Sequence, residues 1–128
     1  MKIIKKALFV IQLLLLTACV QQRHSKTITF KLDMRHVEYA ENVGIRGNFT
    51  KDRWKETVPL KDDNNDGIYE TTITHETAFN NIQFKFVNLN DEFELKDADN
   101  RIINFEYKPE VISYEAVSNS EEFKIKKQ

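Results

Sequence analysis

The chain has 128 residues, 19 Lys and Arg against 20 Asp and Glu, a formal net charge of −1, and a single cysteine. The absence of any basic tract excludes a nucleic-acid-binding chain, and a lone cysteine excludes an intramolecular disulfide. Nine phenylalanines, four tyrosines and one tryptophan give a chain of this size the apolar area for one compact core.

Met1 to Lys6 carries three lysines, and Ala7 to Leu16 is apolar apart from Gln12. Ten residues rise roughly 15 Å as a helix, about half the hydrocarbon core of a bilayer. The segment therefore has the proportions of a secretory signal rather than a span. Leu16-Thr17-Ala18-Cys19 follows and resembles the lipobox of bacterial lipoproteins. That resemblance implies a signal peptide over residues 1–18, lipidation of Cys19 by diacylglycerol and an acyl chain such as palmitate, and membrane attachment. Residues 19–26 then form the lipidated N-terminus and a short tether. The signal removes three lysines and no acid, so the mature chain holds 16 cationic side chains against 20 acids, a formal −4. In such lipoproteins an aspartate after the cysteine retains the protein at the inner membrane. Val20 stands there instead, which points to the outer membrane of the cell envelope, facing either the periplasm or the outside.

From Thr27 the pattern has period two. Ile28, Phe30 and Leu32 alternate with Thr29, Lys31 and Asp33, as in a half-buried strand. Asn42–Gly47, Gly67–Thr74, Asn81–Asn88, Phe93–Lys96, Arg101–Tyr107 and Val111–Val117 read as further strands. Short strands with turn signals at roughly ten-residue spacing predict an all-β fold, an Ig-like antiparallel β-sandwich of about seven or eight strands over residues 27–117. Residues 118–128 are a last strand or a tail.

Several stretches carry a second resemblance. Thr27 to Met34 (TITFKLDM) is followed by Val43 to Phe49 (VGIRGNF), Trp54, Pro59-Leu60, the Asp66-Gly67-Ile68-Tyr69-Glu70 turn and Gln83 to Val87 (QFKFV). In order and spacing these resemble the starch-binding domains of carbohydrate-binding module family 20 and the related glycogen-binding domains. The resemblance spans about Thr27 to Val117 and implies non-catalytic binding of an α-glucan by a β-sandwich. Flat aromatic rings cover the C–H face of a sugar, and amide or charged groups bond its hydroxyl rim. Matched position by position, it places sugar stacking on Trp54 and Phe93 and hydrogen bonding on Lys85, with Asn90 a nearby substitute donor. The sequence departs from the family in three places. Thr50–Arg53 is inserted before Trp54, Phe93 stands where a tryptophan is usual, and Glu110–Ser113 offers no late asparagine.

Two other chemistries compete. Asp62-Asp-Asn-Asn-Asp-Gly67 has the start of a calcium loop, but Ile73 stands where the bidentate glutamate belongs, so a hairpin turn is the plainer reading and no metal is assigned. His24, placed in the tether, and His36 and His75, near strand ends, have no nucleophile motif beside them. Neither an enzyme nor a cofactor is therefore expected. The alternative function is an Ig-like envelope lipoprotein that binds a protein partner through a degenerate sugar site.

Overall fold

The computed structural model describes residues 21–128, so the signal segment and Cys19 lie outside the described residues. The described chain is all strand and turn: β1 (His24–Asp33), β2 (Gly44–Gly47), β3 (Val58–Pro59), β4 (Ile68–Thr77), β5 (Asn81–Asn88), β6 (Glu92–Phe93), β7 (Arg101–Asn104), β8 (Glu110–Val117) and β9 (Phe123–Lys127). One sheet runs β4-β1-β8-β9. The other runs β3-β2-β5, with β6 and β7 sharing the far edge of β5. The β-sandwich is thus the one the alternation predicts, with two refinements. Among the described residues there are nine strands, and β1 pairs β8 in parallel while the other pairings are antiparallel.

The period-two pattern explains which residues meet. Ile28, Phe30 and Leu32 of β1 point inward, as do Ile82, Phe84 and Phe86 of β5 and Ile112, Tyr114 and Ala116 of β8. Phe30 is central, with its ring centroid 5.1 Å from Phe84, 6.1 Å from Phe49 and 6.3 Å from Tyr114. The Phe84 ring meets it edge-on, the Phe49 ring is stacked and the Tyr114 ring is tilted, and aromatic pairs of this kind add about 0.5–1.5 kcal/mol each beyond their burial.

Two buried ion pairs close the ends of the core. Arg101 Nε lies 2.7 Å from Glu94 Oε2, and Glu94 also accepts from the Phe86 and Asn119 backbone amides. At the opposite end Lys26 Nζ lies 2.8 Å from Glu110 Oε1, and the second Glu110 oxygen is 3.1 Å from Lys127 Nζ. Glu110, in the stretch that lacks the family's late asparagine, is therefore an interior bracing residue.

Strand ends differ from the sequence expectation for local reasons. Leu95 adopts φ 50°, which ends β6 after Phe93 instead of extending it to Lys96. β7 stops at Asn104, and β1 begins at His24, so this histidine belongs to the sandwich rather than the tether. Residues 123–127 form an edge strand on β8. In the Asp62–Gly67 turn the positive φ falls on Asn65 and Gly67. Its carboxylates face inward on the turn: Asp62 accepts from the amides of Asp66 and Gly67, and Asp66 from that of Ile68. The bond from Ile68 is the main reason the Asp66 carboxyl sits below its usual pKa.

Candidate carbohydrate-binding face

The outer face of the second sheet is set by register. Arg46 stands opposite Lys85, and Gly44 and Phe93 flank Val87, so Arg46, Lys85, Val87 and Phe93 all turn away from the core. Val87 is nonetheless 1 % exposed and lies outside the main core cluster. An outer-face valine so fully covered requires a second, smaller packing layer on top of the sheet.

Trp54 belongs to that layer. The Thr50–Arg53 insertion does not carry it away from the sheet, because the loop folds back on Gly47. The amides of Thr50 and Trp54 both donate to the Gly47 carbonyl, at 3.2 and 2.9 Å, and Thr50 Oγ1 donates to the same oxygen at 2.8 Å. Asp52, Arg53 and Trp54 follow one another in the left-handed region, at φ 54°, 44° and 68°. A left-handed residue with a Cβ costs roughly 1–2 kcal/mol, so three in succession persist only where the surrounding bonds dictate them. Gly47 permits the close approach, since a Cβ there would lie 2.5 Å from the Gln83 carbonyl oxygen and 2.9 Å from the Phe84 Cβ.

Opposite this loop, the β5–β6 turn repeats the device with Leu89, Asn90 and Asp91 at φ 44°, 54° and 64°. Together the two turns bring the half-buried Trp54 and Phe93 rings to a centroid distance of 6.2 Å, inclined at 56°. The Arg46 guanidinium lies 5.9 Å from the Phe93 ring centroid. It also donates to Thr57 Oγ1 at 2.7 Å and to the Trp54 carbonyl at 3.3 Å, and sits 3.0 Å from Asp91 Oδ2. Thr57 donates to the other Asp91 oxygen at 2.8 Å. One cation thus holds both turns and one ring.

Four site residues read from the sequence are placed as follows. Trp54 and Phe93 are in contact with each other. Asn90 is exposed at the tip of the β5–β6 turn. Lys85 points outward, as its alternation with Phe84 and Phe86 requires, but its ammonium donates to the Leu95 and Ala98 carbonyls at 2.7 and 2.9 Å. It braces the β6–β7 loop with two of its three donors and retains one. Arg46 and Thr57 were not singled out from the sequence. The one trace of Arg46, its outward position between Ile45 and Gly47, is too slight in a four-residue strand to mark an anchor.

The fold is similar to the solution structure of CBM25-2, a carbohydrate-binding module of the beta/alpha-amylase from Paenibacillus polymyxa. That likeness covers 82 % of this chain and 94 % of the module, at 14 % identity and a TM-score of 0.50. At that identity the likeness concerns the sandwich alone. No family model matches the chain, and no curated protein matches its sequence.

Proposed function

We propose that this chain is a lipid-anchored, non-catalytic carbohydrate-binding protein of the bacterial cell envelope, with an α-glucan of the starch or glycogen type as its ligand. The observation that carries the reading is the inclined Trp54–Phe93 pair, held by preformed turns on the open face of the sheet. α-1,4-linked glucose units coil, so neighbouring rings present their C–H faces at an angle. A bent aromatic surface fits such a chain better than it fits the flat ribbon of a β-linked glucan. Asn90, exposed at the tip of the β5–β6 turn, and the remaining Lys85 donor are the candidates for hydroxyl contacts. Strained turns that are already closed lower the ordering cost of binding. The lipid anchor rests on the Leu16-Thr17-Ala18-Cys19 sequence.

Titration of the purified domain with maltoheptaose, followed by Trp54 fluorescence, tests the ligand. A saturable change lost in Trp54→Ala is expected. No change at millimolar sugar, together with capture of an envelope protein that Trp54→Ala leaves intact, would replace this reading with the protein-interaction alternative.

A further inference from the structure

We infer that the end of the sandwich where β1 begins rests on the membrane surface, with the Phe79 turn and the Tyr107 loop set among the lipid headgroups. The inference depends on the lipid anchor at Cys19. β1 starts at His24, and β4 ends beside it at Thr77, so the β4–β5 turn and the β7–β8 loop share that end. Each carries an exposed aromatic, Phe79 at 74 % and Tyr107 at 64 %. Both are placed by their surroundings. The Phe79 amide donates to Thr77 Oγ1, the Phe105 amide ties the second loop to the Asn80 carbonyl, and the His24 ring meets Tyr107 edge-on at 4.5 Å. An exposed aromatic on a bonded turn is costly in water and is well suited to the interfacial zone of a bilayer.

The occupant follows from the chain that leads there. The Gln22 amide donates to the Tyr107 hydroxyl at 2.7 Å. Cys19 lies three residues before Gln22, so its Cα is at most about 11 Å from that of Gln22. An acyl anchor on Cys19 would therefore bring lipid headgroups to within a few side-chain lengths of Tyr107. Charge agrees with this orientation. Exposed Arg23, Lys108, Lys126 and Lys127 gather toward this end, against Glu76 and Glu106. The loops at the opposite end expose Asp63, Asp66, Asp91, Glu92, Glu121 and Glu122, against Arg35 and Lys96. The resulting polarity directs the cationic end to an anionic bilayer and the acidic end away from it. Phe93 pairs with Val87, six residues along β5 from Asn81, so the aromatic face stands about 20 Å beyond this end and clear of the surface.

The full lipidated chain, mixed with vesicles of phosphatidylethanolamine and phosphatidylglycerol carrying brominated acyl chains, gives the test. A Phe79→Trp, Trp54→Phe double variant reports on position 79, and the wild type reports on Trp54. Flotation with the vesicles, about twofold quenching at position 79 and little at Trp54 are expected. A chain that floats but shows no more quenching at position 79 than at Trp54 overturns the docking and leaves the anchor standing. Emission at position 79 that shifts with protein density, without quenching, assigns the patch to a second copy and equally overturns it. Failure to float removes the anchor and the docking with it.

Discussion

Arg46 lies on β2 and Asp91 on the β5–β6 turn, and a 3.0 Å ion pair joins them beside the Phe93 ring. The Arg46 side chain is 18 % exposed, so its charge is largely withdrawn from water and its partners matter. Removing it with Arg46→Met frees the Trp54 carbonyl, Thr57 and Asp91 at once. The expected result is roughly a tenfold loss of maltoheptaose affinity, about 1.4 kcal/mol. Titration of Trp54 emission measures the affinity, and a thermal melt checks that the fold survives.

Lys26 and Glu110 are each 1 % exposed in their side chains. Lys26 also donates to the Glu106 and Lys108 carbonyls, so the pair ties the β7–β8 loop to β1. Burial opposes the Glu110 charge, but the bonds from Lys26 and the Glu106 amide more than offset it and hold its pKa below the usual value. Lys26→Met leaves a buried carboxylate short of a partner. A destabilisation of about 3–5 kcal/mol is expected from urea unfolding.

His75 faces inward on β4, its ring 6.0 Å from that of Phe49. Burial, and then the nearby charge of Arg23, hold its pKa below 6.5. The unfolded chain therefore takes up the proton more readily than the folded one. This contribution to stability is fully present above pH 6.5 and is lost as the pH falls through the lower, folded-state value. His75→Gln should flatten the unfolding midpoint across that acid window, as measured by melts at stepped pH.

Gly47 carries the turn that returns Trp54 to the sheet. A methyl group there meets the backbone oxygen of Gln83 at 2.5 Å, and backbone cannot yield as a side-chain tip can. Gly47→Ala should cost about 1–3 kcal/mol by overpacking. It should also broaden the Trp54 environment, seen as a red-shifted emission without added sugar.

The strands were the legible part of the sequence because burial repeats along them. Ile28, Phe30 and Leu32 announce one face of β1, and Phe84 and Phe86 one face of β5. Trp54 and Phe93 were singled out by the positions they share with starch-binding domains, and Trp54 also because it stands among charges without alternating apolar neighbours. Arg46 could not, since a four-residue strand is too short for a single polar residue to stand out as an anchor. The Lys85 ammonium likewise finds Leu95 and Ala98 only because Leu95 takes a left-handed turn after β6, which no local pattern signals. The position of β3, two residues long, depended on the turn at Gly47 and was equally hidden.

The parallel pairing of β1 with β8 has a mechanical consequence. β1 is an inner strand, bonded to β4 along its whole length and to β8 from Lys26 to Asp33. A pull applied through its N-terminal end, along the strand axis, loads both ladders in shear, so that many bonds must fail together. The same force on an edge strand such as β9 would load a single ladder. β1 is thus better able than an edge strand to bear tension along its axis.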